Sequence, residues 1–435
     1  MSAFQLRLPD DGRPKSQRTK DRKRAALQIE RAVDRGCNGD LLEEFADKVI
    51  QARQRSRRQP GVRRQYELFE RLEGAAGGPI LVVENEYVVR ADDLNDDQRR
   101  GLIPADAVPI DNLDGRVLRV KGSRRSRAAR KLPTRVKPHF VTPFGPVMKA
   151  TVGPEPSAGL RALPQATATT GPVVAVVDTG IDATPRDDGW LGGIPVDTGN
   201  VDLLDDLPPE GRLDLGAGHG TFAAGIIQQL APAAEIRAYR ALDSDGFGTE
   251  AMVATAMVQA AMDGAAIINL SLGLQTDDHQ PPIILEAAVE VVREGWPDVL
   301  IVAAAGNFGD SHPCWPAAFK GVTAVAGLDR KLKPTAWTSR GPWVDCSTIG
   351  EAVLSTFVAG TERDDVDPDG VADEYPPSAW AIWTGTSFAA PQISGAVAQV
   401  AADTGLVPRD ALARLLEDTP EESNFGRVKQ ILSPI

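Results

Sequence analysis

The sequence predicts an α/β protein with a doubly wound, mostly parallel sheet, preceded by an N-terminal helical and small α/β extension. From position 172 onward, short apolar runs rich in β-branched residues alternate with longer helical runs, the pattern of a sheet covered by helices on both faces. The first run, 173–177, is continuously apolar, as expected for a strand buried on both faces. We therefore expect a basic helical region at 1–75, a small α/β unit with an Arg-rich linker at 76–150, and the main domain at 151–435.

Charge divides the chain in the same way. Residues 1–150 carry 32 basic against 21 acidic residues, a net of +11, whereas residues 151–435 carry 16 against 39, a net of −23. Either the basic front docks on the acidic body or recruits an anionic partner, or both are solvated surfaces without a specific contact. The three cysteines, Cys37, Cys314 and Cys346, are too widely spaced to support a disulfide framework or a Cys-rich zinc site.

The first region is expected to form three helices, at 13–35, 41–57 and 63–72, with a break at Pro60-Gly61. Basic helices raise the possibility of nucleic-acid binding, but acidic residues are interleaved and no aromatic platform is visible, so this partner is disfavoured. Residues 1–27 are polar and basic, which predicts no signal peptide, and no later run has the length and apolarity of a membrane span. A cytoplasmic location is the resulting expectation.

The second region is expected to contain a strand or hairpin at 79–89, a helix at 92–103 and a strand at 116–120. An Arg-rich, unpatterned linker follows at 121–137, and we expect it to be exposed and open to proteolysis.

In the main domain the predicted strands after 173–177 are 235–241, 265–272, 299–305 and 322–328, and the predicted helices are 220–230, 249–262 and 282–294. Ligand sites in such sheets lie beyond the carboxyl ends of the strands. Asp178 directly follows the first strand, and His219 lies in a glycine-rich turn that opens a helix. Ser387 precedes a late apolar helix with Pro391 in its first turn, where free backbone N–H groups can hold an oxyanion.

The motifs VVAVVDTGID, GHGTFAAG, AAAGN and GTSFAAP, in this order, resemble those of the subtilisin-like serine peptidases over about 172–415. Each motif alone is weak: Asp178 also suits a strand-end cap, and Asn307 a turn. Together they imply a serine endopeptidase without a cofactor in its chemistry. The resemblance implies Ser387 as nucleophile, His219 as general base, Asp178 as the residue that orients His219, and Asn307 as oxyanion donor. The alternative is a catalytically idle binding module that keeps the fold.

The same resemblance implies how a peptide binds. The backbones of Ser271-Leu272-Gly273 and Gly246-Phe247-Gly248 are expected to clasp an extended protein or peptide substrate as an added strand. Leu272, Ala304, Ala305 and Gly306 are expected to line the specificity pocket, with Cys314-Trp315-Pro316 near its floor. A neutral floor favours apolar or medium-sized side chains.

Two features concern calcium. The segment 226–232 runs directly from the helix after His219 into Ala231-Pro232, without the loop that builds a calcium site in many relatives. Asp365, Asp367 and Asp369, followed by Gly370, have the spacing of a calcium loop. The bidentate acid expected at the end of that loop is missing, because Pro376 stands there. Calcium and a bare acidic surface loop both stay open.

The role of the N-terminal 150 residues has two interpretations. Members of the resembled family often carry an N-terminal propeptide, a small α/β domain that packs on the catalytic domain and presents its end to the active site. The extra helical region and the expected cytoplasmic location favour instead a regulatory extension, which restrains the peptidase or brings it to a protein partner.

Overall fold

The computed structural model describes residues 12–35, 39–58, 66–73, 79–95, 98, 107–122, 136–143, 153–159, 163–166, 168–276, 278–364 and 371–435, and for helical residues among 30–46 the backbone alone. The α-helices are α1 (Lys15–Arg35), α2 (Gly39–Arg58), α3 (His219–Leu230), α4 (Glu250–Met262), α5 (Ile283–Gly295), α6 (Ala390–Thr404) and α7 (Pro408–Leu415). The strands are β1 (Phe69–Glu73), β2 (Pro79–Arg90), β3 (Ala107–Pro109), β4 (Val117–Lys121), β5 (Lys137–Pro143), β6 (Glu155–Ser157), β7 (Val173–Asp178), β8 (Glu235–Arg240), β9 (Phe247–Thr249), β10 (Ile267–Leu270), β11 (Leu300–Ala304), β12 (Val322–Leu328), β13 (Cys346–Ile349), β14 (Val353–Thr356), β15 (Gly360–Thr361), β16 (Glu374–Tyr375), β17 (Trp380–Trp383), β18 (Glu421–Glu422) and β19 (Gly426–Val428).

The main sheet has eight strands in the order β18-β19-β13-β12-β11-β10-β7-β8. All neighbouring pairs are parallel except β18 with β19 at the edge. The chain leaves β7 for β8 on one side and returns to β10 on the other, so the strand order reverses around β7. The carboxyl end of β7 is therefore the switch point at which such sheets place their ligands.

Helices cover both faces of this sheet, as the sequence predicts. α3 packs against α6, and α4 packs against α5. Every residue of β10 and β11 is buried. β11 is accordingly a continuous apolar run, whereas β10 includes one buried polar residue, Asn269.

A second, antiparallel sheet joins the extension to the main domain. Its strands lie in the order β3-β4-β2-β5-β9, with β1 paired to β2. The first four of these strands and β1 belong to the extension, whereas β9 belongs to the main domain. One face of this sheet contacts α4 and α5, and Arg90 of β2 binds Glu286 and Glu290 of α5 at 2.8 and 2.9 Å. The basic front thus docks on the acidic body.

The helix α1 lies elsewhere, against β6 and β17. These two strands pair with each other, and with β14 they form a small three-stranded sheet. β17 leads directly into the turn that carries Ser387. The extension therefore contacts the main domain at two separate places.

Several N-terminal predictions were wrong. The helix expected at 63–72 is absent from its described part, because Phe69–Glu73 forms β1 on the edge of β2. Pairing buries Phe69 against Phe247, and this tertiary contact overrides the local helical pattern. The hairpin alternative for 79–89 is also excluded, since β2 is one long strand that pairs on both edges.

The helix expected at 92–103 does not begin at 92, because Ala91–Asp93 forms a single 3-10 turn and Leu94 is extended. Gln98 is helical, and its backbone N–H donates to Asn95 Oδ1 at 2.8 Å; residues 96–97 and 99–103 lie outside the described part. Of the predicted linker, 123–135 also lie outside it, but Lys137–Pro143 forms β5, a strand that the sequence did not predict. Its two prolines argue against a central strand, so the pattern concealed it.

Candidate active site

The first two predicted site residues meet at the carboxyl end of β7. Asp178 is the last residue of β7, and His219 is the first residue of α3. Asp178 Oδ1 lies 2.7 Å from His219 Nδ1 and also accepts the Thr179 backbone N–H at 2.7 Å. Both side chains are buried. This carboxylate can fix the imidazole with Nδ1 protonated, which leaves Nε2 to act as a base.

Glycine makes this approach possible. A Cβ on Gly220 would lie 2.1 Å from the carbonyl oxygen of Gly180, so a larger residue would push α3 away from the end of β7. The glycine-rich turn around His219 therefore brings two backbones into contact, as its composition predicts.

A second carboxylate, which sequence reasoning missed, ties the two turns together. Asp202 Oδ2 accepts the Gly218 backbone N–H at 2.8 Å and the Thr179 hydroxyl at 3.0 Å. Burial raises the pKa of Asp202 to about 7, and the nearby charge of Asp178 acts in the same direction. Asp202 belongs to none of the motifs, so no local signal in the sequence could have found it.

Ser387 lies in a 3-10 turn, Thr386–Phe388, just before α6. Its hydroxyl donates to the Ser271 carbonyl at 3.1 Å, and the Ser271 hydroxyl donates to the Ser387 carbonyl at 2.7 Å. The rings of Phe388 and Trp383 lie 5.3 and 5.5 Å from the His219 ring. The serine turn is thus fastened to the end of β10 and lies beside the imidazole.

Asn307, which follows β11, is fixed by the same turn. Its Oδ1 accepts the Thr386 backbone N–H at 2.9 Å and the Thr386 hydroxyl at 3.0 Å. With Oδ1 engaged in this way, Nδ2 is the amide atom that remains to donate. Thr386 therefore orients Asn307, a role that the GTS motif did not reveal beforehand.

The predicted pocket residues also come together. Cβ atoms placed on Gly273 and Gly306 would lie 2.6 and 2.8 Å from Cys314 Sγ, so this thiol packs directly on both glycines. Burial raises the pKa of Cys314 far above its usual range, which keeps the thiol neutral. Leu272 follows β10, and Ala304 and Ala305 lie at the end of β11; all three are buried. Trp315 pairs with Leu274.

The predicted peptide clasp is occupied by the protein itself. β5 pairs antiparallel with β9, with Val141 opposite Thr249, Thr142 opposite Gly248 and Pro143 opposite Phe247. Gly246 precedes the pair with a φ of 85°, a conformation that favours glycine. The strand that a substrate is expected to add is thus supplied by the extension.

The metal prediction cannot be placed, because Asp365, Asp367 and Asp369 lie outside the described residues. Within the described residues, no group of three or more His, Cys, Asp or Glu side chains is arranged to hold a metal ion. α3 runs to Leu230 and its last turn is closed by the Ala231 N–H.

The described helices include none with the length and apolarity to cross a membrane.

A doubly wound parallel sheet with a buried carboxylate–imidazole pair and a serine turn at its switch point is the arrangement of a serine hydrolase. Residues 169–431 match the sequence model of the subtilase family. Thermitase of Thermoactinomyces vulgaris is 33% identical over 237 residues, 52% of this chain and 73% of thermitase. Subtilisin BL of Lederbergia lenta is 33% identical over 53% of this chain and 76% of that protein. The thermophilic serine proteinase of Bacillus sp. strain AK1 is 35% identical over 53% of this chain and 52% of its own length.

The chain therefore belongs to the subtilase family and is a hydrolase of the subtilisin-like serine protease type. The match with the family model lies in the main domain and leaves the role of the extension open.

Proposed function

We propose that the protein is a serine endopeptidase in which Asp178, His219 and Ser387 form the catalytic triad and Asn307 binds the oxyanion. The hydrogen bond between Asp178 and His219, next to the serine turn, is the observation that carries this proposal. It supports an imidazole with Nδ1 protonated beside the serine turn, so that Nε2 can accept the Ser387 proton once this hydroxyl turns away from the Ser271 carbonyl.

The reaction proceeds in two halves. Ser387 Oγ attacks the carbonyl carbon of the substrate while its proton passes to His219 Nε2. The negative charge that develops on the carbonyl oxygen is stabilised by the Asn307 amide and the Ser387 backbone N–H. His219 then donates the proton to the leaving amine, the C–N bond breaks, and an acyl-enzyme remains on Ser387. Water repeats the sequence with His219 again as base, and the acid product leaves.

The substrate is an extended protein or peptide segment that pairs with β9. The pairing of β5 with β9 supports this mode, since it demonstrates that the edge of β9 accepts an antiparallel strand. The pocket around Gly273, Gly306 and Cys314 carries a neutral thiol, which supports apolar or medium-sized side chains next to the cleaved bond.

Labelling with a small fluorophosphonate tests the assignment. Mass spectrometry should place the label on Ser387, and both Ser387→Ala and His219→Ala should lose it. Ser347→Ala is the matched control, because Ser347 is a second fully buried serine, on β13. Label that persists in Ser387→Ala would place the nucleophile at another residue, and wild-type protein that takes up none would favour the idle binding module.

We further propose that the extension regulates this activity by occupying the clasp. Arg53 of α2 supports a firm attachment: its guanidinium binds Asp245 at 2.7 and 2.8 Å and Asp243 at 3.1 Å. It also donates to the Phe247 carbonyl at 3.1 Å. Because Arg53 is only 1% exposed, this pairing exists only when the extension is docked beside β9.

The outer face of α1 supports a partner-binding role. Lys15, Arg18, Lys20, Arg22 and Lys23 are all exposed on it, while Asp21 is buried on the other face and bound to Arg13. An acidic protein surface is the partner that this charge distribution fits, and its binding would be the signal that shifts the extension. Loss of the complex on Arg18→Glu/Arg22→Glu in a pull-down with an acidic protein partner would test this role.

A further inference from the structure

The inner face of α1 reaches the strand that leads into the serine turn. Ala25 and Gln28 on this face are fully buried, and the helix packs on β6 and β17. Arg24 on the same helix donates to the Pro156 carbonyl of β6. This contact is separate from the pairing of β5 with β9, so it needs its own explanation.

Gln28 uses both polar atoms of its amide in this contact. Nε2 donates to the Gly153 carbonyl at 2.8 Å and to the Ile382 carbonyl at 3.1 Å. Oε1 accepts the Thr384 hydroxyl at 2.6 Å. A fully buried amide with three partners on two other segments is costly to remove, because each partner would be left unsatisfied.

Thr384 begins the turn that carries the nucleophile. Its hydroxyl also accepts the Ala352 backbone N–H at 2.9 Å, and the next residue, Gly385, donates to the Gly350 carbonyl at 2.9 Å. Thr386 then orients the Asn307 amide. Gln28 thus holds the first of three consecutive residues that lead to Ser387.

We infer that Gln28 is a positioning residue for the serine turn, and that α1 is part of the working catalytic apparatus. The inference rests on the proposed role of Ser387 but goes beyond it, since the extension then has two opposite effects. β5 blocks the clasp, whereas α1 holds the nucleophile and the oxyanion donors in place. Displacing β5 activates the enzyme only if α1 stays bound.

The experiment measures how fast a small fluorophosphonate labels Ser387 in the full chain, since this reagent does not need the peptide clasp. Gln28→Met keeps the length of the side chain but removes its hydrogen bonds. Because a misplacement of about 1 Å can cost about a hundredfold in rate, labelling should slow by roughly ten- to a hundredfold. Gln17→Met is the matched control on the same helix. Within the described residues, the Gln17 side chain binds only Asp21, which lies on α1 itself.

A second pair of variants changes Thr384, the hydrogen-bond partner of Gln28. Thr384→Val removes the hydroxyl without changing the shape and should slow labelling to a similar extent. Thr384→Ser keeps a hydroxyl and should restore most of the rate lost in Thr384→Val. A purely structural contact would lower the melting temperature in Gln28→Met and Thr384→Val but leave the labelling rate at low temperature unchanged.

The inference is overturned if Gln28→Met or Thr384→Val labels at the wild-type rate, or if Gln17→Met slows labelling equally. Wild-type protein without label on Ser387 would overturn the proposed function itself, and the two failures are therefore distinguishable. Slowing in Gln28→Met and Thr384→Val, with recovery in Thr384→Ser, supports the inference.

Discussion

Asn307 owes its orientation to one neighbour, Thr386, which holds its carbonyl oxygen through two hydrogen bonds. An amide fixed in this way can donate to an oxyanion without reorganising during the reaction. We predict that Asn307→Ala lowers kcat by about a hundred- to a thousandfold and leaves KM nearly unchanged. Steady-state hydrolysis of a chromogenic peptide measures both constants. A rise in KM at constant kcat would instead assign Asn307 to ground-state binding.

The sequence predicted the residues that motifs carry and missed those that act through geometry. Asp178, His219, Asn307 and Ser387 stand in recognisable blocks, and the structure brings them to one place. Asp202 lies in a loop between β7 and α3 without a motif, and its contact with Gly218 exists only in three dimensions. Gln28 is still less visible, because its partner Thr384 is more than 350 residues away.

Asp202 should leave a signature in the pH dependence of stability. Its usual pKa is 3.8, and burial raises it to about 7 in the folded chain. The stabilisation from proton binding is complete below the unfolded pKa and disappears as pH rises through about 7. From pH 4 to pH 8, one such group lowers the unfolding free energy by at most about 1.4 kcal/mol per pH unit.

Urea unfolding at a series of pH values measures this effect. Asp202→Asn should show a smaller loss of unfolding free energy over this interval than the wild type. Part of the loss should remain, because burial raises the pKa of Asp214, Glu250 and Glu351 to about 7 as well. An unchanged slope in Asp202→Asn would mean that this carboxyl does not titrate as described.

At the scale of elements, the sequence predicted a strand or helix correctly where the apolar pattern of that element alone indicates its burial. The strands and helices that were predicted in the main domain lie within a few residues of their observed positions, but β13, β14, β17 and α7 were not predicted. The other errors fall in the extension, where pairing with a neighbouring strand decides the conformation. β1 and β5 become strands because β2 and β9 offer them edges, and no pattern within 63–72 or 137–143 shows those edges.

Charged contacts of α5 with Arg90 of β2 and with Arg116, the residue before β4, lead to a prediction about salt. Arg90 binds Glu286 and Glu290, and Arg116 binds Glu294. These side chains are partly or fully exposed, so salt screens them, and each pair of Arg90 contributes about 0.2–1 kcal/mol. Raising sodium chloride from about 0.1 to about 1 M should increase peptide hydrolysis a few-fold by loosening the extension.

The double variant Arg90→Met/Arg116→Met should begin at a higher rate and lose most of this salt response. Arg237→Met is the matched control, because Arg237 pairs with Glu235 within the main domain. Equal salt responses in the wild type, the double variant and Arg237→Met would mean that these ion pairs do not contribute to the regulation.

At the scale of the whole molecule, opposed charges of +11 and −23 left docking, an anionic partner and two solvated surfaces as alternatives, and in the structure the front contacts the body. The charges alone could not reveal where the contact lies. The structure divides the contact between β5, which fills the edge of β9, and α1, which holds β17. One extension therefore touches both the strand that we propose to bind substrate and the strand before the proposed nucleophile.

Arg53 offers the most direct test of regulation by the extension. Its salt bridges with Asp243 and Asp245 are the most deeply buried ionic contact between α2 and the turn before β9. Removing one partner of a buried ion pair costs about 3–5 kcal/mol, and here that cost falls on the docked state. Peptide hydrolysis should be measured for wild type, Arg53→Met, Ser387→Ala and the double variant. We predict that Arg53→Met is faster than wild type by about tenfold or more, and that both proteins with Ser387→Ala are inactive. A wild-type rate in Arg53→Met would contradict regulation by the extension, and hydrolysis by the double variant would contradict Ser387 as the nucleophile.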